Sequence, residues 1–290
     1  MPGQAPFRLR ALGSGSAFSR RYGTTCSVLT LTSGRPWLID CGRQAPEQLE
    51  RAQLDWHDLA GQLVTHVHGD HVYGLEEFAF VRYYESRHAG RAVMQGGPRP
   101  ALVAHGAVRA ELWEFLGPSL RYRSDARGNP VPGVLTDYFD VLPPTSTEAP
   151  EAQPWNHSEL FLVDGCPVAA RETQHVIGKP STTFEIGLPD QCGRLAWWSG
   201  DSVVDSGLLQ AIEPRTNIFF HDCSFAEYPG QVHGMFRELS ALPQSVRTKM
   251  VLMHHDDDVE SHRQQAESLG FRLCLPGDCF DLLTGQKVQS

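Results

Sequence analysis

The sequence predicts an α/β fold: one domain, residues 1–290, built from two mixed β-sheets with helices on the outside. Three observations carry this expectation. Short apolar runs of strand length alternate with helix-length amphipathic segments in both halves of the chain. No linker-like stretch and no internal repeat divides the halves. Residues able to bind metal stand just past strands in both halves, which requires one fold closing around one site. With 290 residues, 41% of them hydrophobic, the chain can fill a layered core without disulfide staples.

The elements follow in order. Residues 7–12 alternate in polarity and run into a Gly-Ser-Gly-Ser turn, so they read as a first strand. Residues 27–32 and 36–39 are the second and third strands. Residues 44–54 form an amphipathic helix with Leu49 and Ala52 turned inward. An apolar strand at 62–65 runs directly into His66. A helix follows over 75–88, in which Tyr83 and Tyr84 read as core residues. A strand at 101–104 and a helix at 108–116 repeat the pattern. Residues 117–158 are rich in proline and carry Arg121, Arg123 and Arg127 around Tyr122. They predict an irregular, lid-like excursion with one strand near 138–142. Strands at 160–163, 168–173, 183–186, 195–198, 217–220 and 250–253, with helices at 235–242 and 260–269, complete the chain.

Charge and cysteine usage exclude several classes. The chain has 25 basic and 34 acidic residues, a net charge of −9. Coating a nucleic-acid duplex needs the opposite balance, so an extended nucleic-acid partner is not expected. Seven cysteines with no C-x-x-C pair predict reduced thiols and a cytoplasmic protein. No apolar stretch is long enough for a signal peptide or a membrane span. Thirteen histidines are more than this length ordinarily carries, and histidine is the commonest metal ligand.

The segment Thr65-His66-Val67-His68-Gly69-Asp70-His71 places three imidazoles and a carboxylate in a loop after an apolar strand. Borderline-soft divalent ions take such ligands. Four are too many for one ion that must keep a position open for substrate, but they suit two neighbouring ions. Further ligand-type residues end strands elsewhere: Asp40, His175, Asp201 and His254, with His255 adjacent as an alternative to His254. His57, His88, His105, His157 and His262 lack such a setting and read as surface residues.

Read together, LGSGSAF at 12–18, IDCG at 39–42, THVHGDHVYGLEE at 65–77, SGDS at 199–202, HDCSF at 221–225 and VLMHH at 251–255 make the chain resemble the metallo-β-lactamase fold. It is closest to the ribonuclease Z-like branch. The resemblance implies an αββα sandwich and two divalent metal ions, zinc first, with manganese or iron as alternatives. It implies one ion held by His66, His68 and His175, a second by Asp70, His71 and His254, and Asp201 bridging them. Asp40 would orient a ligand by hydrogen bonding. Two close cations lower the pKa of a shared water and neutralise phosphoryl charge. Asp70 would take a proton from that water, and His233 would protonate the leaving group. Lys179, Ser181, Thr182, Arg121 and Arg123 are candidate substrate contacts.

The expected function is hydrolysis of a small phosphodiester, a cyclic nucleotide or related signalling nucleotide, by a metal-activated hydroxide. Ribonuclease Z proper, a tRNA 3′-end endonuclease, usually inserts a long Gly-rich arm between the His175-type and Asp201-type ligands. Only residues 176–200 lie between them here, too few for that arm. Armless members of the branch act on small messengers as homodimers, so a homodimer is expected. A lactonase-type metallohydrolase is the remaining alternative.

Overall fold

Apolar residues facing two ways build the strands. In a computed structural model that describes residues 7–84, 99–125, 127–147, 158–188 and 195–289, the central strands of both sheets are buried on both faces. The first half contributes β1 (Arg8–Gly13), β2 (Cys26–Thr30), β3 (Pro36–Ile39), α1 (Ala45–Arg51), β4 (Gly61–Leu63), α2 (Gly69–Val72), α3 (Leu75–Tyr84), β5 (Ala101–Val103) and α4 (Gly106–Leu120). A hairpin of β6 (Tyr122–Ser124) and β7 (Pro130–Pro132), then α5 (Leu135–Tyr138) and β8 (Asp140–Val141), follow. The second half contributes β9 (Ser158–Val163), β10 (Cys166–Thr173), β11 (Ser181–Gly187), β12 (Leu195–Trp198), α6 (Ser206–Ile212), β13 (Thr216–Asp222), α7 (Phe236–Ser240), α8 (Gln244–Arg247), β14 (Met250–Met253), α9 (Val259–Ser268), β15 (Arg272–Leu273), β16 (Cys279–Asp281) and β17 (Lys287–Val288).

The first sheet has the order β17-β16-β1-β2-β3-β4-β5-β8, and the second β15-β14-β13-β12-β11-β10-β9. Each is antiparallel in one part and parallel in the other. Leu29, Trp37 and Ile39 of the first sheet meet Phe184, Ile218, Phe220 and Val251 of the second in a central layer. Alternate residues, Val28 and Leu38, face outward onto Leu49, Phe78 and Leu112 of the first-half helices. Phe219, Met250 and Leu252 do the same toward Leu209, Leu239 and Ala266. Burial on both faces explains why these strands are nearly continuous apolar runs. This is the metallo-β-lactamase αββα sandwich.

The excursion after residue 116 is more ordered than expected. Its first residues continue α4 to Leu120, despite Pro118 within the helix. Tyr138 and Phe139 are buried in the first-half outer core, and β8 forms the edge of the first sheet. The prolines of β7 sit in a two-stranded hairpin, whose edges tolerate the missing N–H. Residues 148–157 lie outside the described residues, as do His88 and His157. The helix α6 and the C-terminal pair β16–β17 are further additions; α6 is brief and β17 has only two residues. His105 is buried and accepts from Ala107 N at the start of α4, so it is a helix cap and not a surface residue.

Candidate metal centre

Strand ends bring the predicted residues together. Asp40 follows β3, residues 65–71 follow β4, His175 follows β10, Asp201 follows β12, and His254 follows β14. Open α/β sheets place their sites at such carboxyl ends. The two sheets are stitched here: Thr182 N donates to Thr65 O at 3.0 Å, and Thr182 Oγ1 donates to the same carbonyl at 2.9 Å.

Three overlapping groups share Asp201, two of them with residues of the 65–71 loop and the third with Asp222, His233 and His254. In the first, His66 Nε2 and His175 Nε2 lie 3.0 and 3.3 Å from His68 Nδ1, and Asp201 Oδ2 is 3.7 Å from His66 Nε2. In the second, His71 Nε2 and His254 Nε2 are each 3.2 Å from Asp70 Oδ2, and 3.3 and 3.4 Å from Asp201. The ligand atoms of each group lie within 4.8 Å of one another. Of the adjacent pair, His254 faces the carboxylates. His255 turns away, its Nε2 donating to Cys274 O at 2.8 Å while its ring packs edge-on against Tyr22.

The proton inventory fits cations in both groups. His175 Nδ1 donates to Val232 O at 3.0 Å, so a neutral ring turns a lone pair toward His68. Burial, reinforced by neighbouring rings, holds His66 well below the ordinary histidine pKa and lowers His68 to about 4. Three neutral imidazoles cannot all donate at one meeting point, but their lone pairs can converge on an ion. His71 Nδ1 faces Asp40 Oδ2 at 2.8 Å, which leaves Nε2 toward the carboxylates. Neither His71 Nε2 nor Asp201 Oδ1 forms a hydrogen bond, although they lie 3.3 Å apart. Burial opposes ionisation of Asp70 and Asp201, yet His71 and His254 outweigh it and hold both carboxyls well below the usual range. Two ionised, buried carboxylates amid imidazole nitrogens are the hard and borderline donors that divalent ions of the zinc class accept.

Asp40 is fully buried and takes three hydrogen bonds, from Thr65 N, Thr65 Oγ1 and His71 Nδ1. Its φ of 58° and the φ of 57° at His254 put two of the converging residues in the left-handed region. Non-glycine residues persist there only where the surroundings over-determine them.

His233 closes the second side. Its ring stacks on His254 at 5.0 Å, and its Nδ1 is 2.8 Å from Asp222 Oδ2 and 3.9 Å from Asp201. Burial opposes its charge, but the hydrogen bond and attraction of Asp222 prevail and raise its pKa to about 9. Asp222 is itself buried; hydrogen bonds from His221 and His233 outweigh that and lower it to about 2. Sequence reasoning assigned no role to Asp222. The HDCSF motif was the available signal, since it puts a carboxylate at the end of β13.

The candidate substrate contacts are mostly engaged elsewhere. Ser181 Oγ donates to Asp201 O, and Thr182 serves the stitch to Thr65, so both hydroxyls are buried structural donors. Arg123 is bound to Asp137 at 2.9 Å and donates to the Tyr83 hydroxyl at 2.8 Å, away from the ligand groups. Arg121 is exposed at the C-terminus of α4. Lys179 stays beside the site, paired with Glu111 at 2.8 Å, and its charge adds to the lowering of the His68 pKa.

Comparison with known proteins matches residues 7–273 to a family described as Anti-Pycsar protein Apyc1. The Anti-Pycsar protein Apyc1 of Bacillus phage BSP38 is 30% identical over 270 residues, covering 92% of this chain and 95% of that protein. The protein of the same name from Paenibacillus xerothermodurans is 29% identical over 266 residues, covering 91% and 94%. Among solved structures, the short form of human tRNase Z superposes with a TM-score of 0.63 at 20% identity, covering 95% of this chain and 99% of that one. A diphosphatase of the PhnP family gives 0.63 at 15%, covering 94% and 96%. Both likenesses show the shared fold.

Proposed function

Because this chain belongs to the family of Anti-Pycsar protein Apyc1, we propose that it is a dinuclear metal-dependent phosphodiesterase acting on a small phosphodiester, a cyclic nucleotide first. The observation that carries the reading is the two His/Asp groups of the 65–71 loop that share Asp201, with His233 stacked on His254 in a third group. His66, His68, His175 and Asp201 would hold one ion, and Asp70, His71, His254 and Asp201 the other. Bound there, two divalent ions, zinc or alternatively manganese or iron, would activate water and neutralise charge on a phosphoryl oxygen.

The side chains supply the rest. Asp40 fixes the proton on His71 Nδ1 and so keeps Nε2 available as a ligand. Asp70, whose Oδ2 lies 3.2 Å from both His71 Nε2 and His254 Nε2, would accept a proton from water. His233, kept protonated by Asp222, can donate a proton to the departing oxygen. Asp222 receives Ser202 N and Gly234 N as well, so it holds His233 against the loop that carries Asp201.

Substrate size is supported by three features. Residues 176–200 supply a loop, β11 and β12 between His175 and Asp201, without the length for an RNA-gripping arm. The net charge of −9 gives no help to polyanion binding. The relatives' anti-Pycsar name speaks for a signalling nucleotide. A homodimer and a cytoplasmic setting belong to the same reading. The second is supported by the buried free thiols of Cys26, Cys41, Cys223 and Cys274.

The test is a substrate panel assayed with and without added metal: bis-p-nitrophenyl phosphate, 3′,5′-cyclic nucleotides, a precursor tRNA and a lactone. Metal-dependent opening of cyclic nucleotides is expected. Turnover of the lactone alone, or full activity after complete metal removal, overturns the proposal.

A further inference from the structure

Among the described residues, the outer face of the second sheet carries buried polar atoms without partners. Arg171 of β10 pairs in register with Thr183 of β11, and Glu185 with Trp197 of β12. Arg171 Nε donates to Glu185 Oε1 at 2.6 Å, so all four share one face. Their chain neighbours Ala170, Phe184 and Trp198 fill the central layer, so that face is the outer one. The loop after Asp201 and α6 lie over it and leave a cavity of about 410 Å³, the size of a small-molecule site. Arg171, Thr183 and Trp197 line it from the sheet, and Ser202, Val204 and Leu208 from the loop and α6. Arg171, Thr183, Trp197 and Ser202 are each at most 3% exposed. Yet Arg171 Nη1, Thr183 Oγ1, Trp197 Nε1 and Ser202 Oγ have no hydrogen-bond partner among the described residues. The cavity reaches the strand ends that carry the metal-site residues. Gln174 lines it one residue before His175 and Ser202 one residue after Asp201, and Val203 N donates to Gln174 O at 2.9 Å.

Nη1 and Nε1 can only donate, whereas the two hydroxyls can also accept. Buried donors left unmade weaken a fold, so these call for an acceptor from outside the chain. Charge decides its kind. Glu185 already balances Arg171, and Glu172 and Asp205, which also line the cavity, add negative charge, so an anion is disfavoured. A cation would meet the Arg171 guanidinium and two donors. Val204 and Leu208 offer an apolar wall. We propose that this cavity is a second binding site, for a small uncharged amide with an apolar body. The amide carbonyl accepts from Arg171 Nη1 and Trp197 Nε1, its N–H groups donate to the hydroxyls of Thr183 and Ser202, and its hydrocarbon lies on Val204 and Leu208. The inference does not rest on the phosphodiesterase reading.

The experiment follows the indole N–H signal of Trp197 by heteronuclear NMR of the intact protein, the signal being assigned by its loss in Trp197→Phe. Hexanamide, hexanoate and hexylammonium, matched in length, are titrated as probes. Hexanamide is expected to move the signal saturably. Hexanoate and hexylammonium should bind about tenfold more weakly or less, because each must bury a charge without a free counterpart. Thr183→Val, close in shape, removes one hydroxyl. It should weaken hexanamide binding about three- to tenfold, the worth of one hydrogen bond, while the remaining indole signals stay in place. A Trp197 signal that no probe moves saturably overturns the site, and so does unchanged hexanamide affinity in Thr183→Val. Hexanoate or hexylammonium binding as tightly as hexanamide overturns the assignment of an uncharged ligand.

Discussion

Asp40 shows how much one side chain decides at this centre. Its carboxylate has no route to a metal of its own, because Thr65 N, Thr65 Oγ1 and His71 Nδ1 occupy it. What it controls is the tautomer of His71. Asp40→Ala is expected to weaken metal binding about 10- to 100-fold, as loss of a ligand's hydrogen-bond partner does elsewhere, read by competition with a chromophoric chelator. Asp40→Asn should fall between, since an amide oxygen can still accept from Nδ1. His233 acts at a different step. His233→Ala should leave metal content unchanged and lower kcat by about 100-fold or more, the range of general acid–base catalysis. Metal loss in that variant would make His233 a ligand instead. The candidate metal-binding residues were legible at this scale because H-x-H-x-D-H concentrates four of them in one loop. For Ser181, Thr182 and Arg123, the sequence gives no sign of whether a carbonyl or carboxylate already holds the hydroxyl or guanidinium, as one does here.

At the scale of elements, the outer face of the second sheet contains an unusual pair. Arg171 of β10 and Glu185 of β11 meet at 2.6 Å with both side chains buried. Removing one partner leaves the other charge stranded, so Arg171→Met is expected to cost about 3–5 kcal/mol in chemical denaturation. The double variant Arg171→Met with Glu185→Leu should recover most of that loss, because a buried pair adds little net stability over well-packed apolar side chains. The strands themselves were readable: β3, β12 and β14 fall where their apolar runs do. Of the excursion after residue 116, only the strand expected near 138–142 was, as β8. The excursion's prolines and arginines suggested an irregular lid, whereas Tyr138 and Phe139 anchor it in the core and β8 completes a sheet. Two buried aromatics outweigh a run of breakers, and that balance is set by a cavity the rest of the fold supplies.

For the whole molecule, the sandwich and the centre depend on each other. The two groups of the 65–71 loop draw on the end of β4 in the first sheet and on strand ends of the second, so an ion held in either would cross-link the halves. Chelation is expected to lower the thermal midpoint, and zinc or manganese to restore it, by the linkage that stabilises any state binding a ligand the unfolded chain does not. Differential scanning calorimetry with and without chelator reads this directly; an unchanged midpoint would mean the sandwich closes without the ions. The sequence by itself determined that the chain is a two-sheet α/β domain and that its ligand-type residues follow strands, because burial on both faces and the H-x-H-x-D-H loop are local patterns. Only the tertiary structure decided between His254 and His255 and bound Asp222 to His233. Each of those depends on which way a side chain turns once distant strands pack, and no local pattern carries that direction.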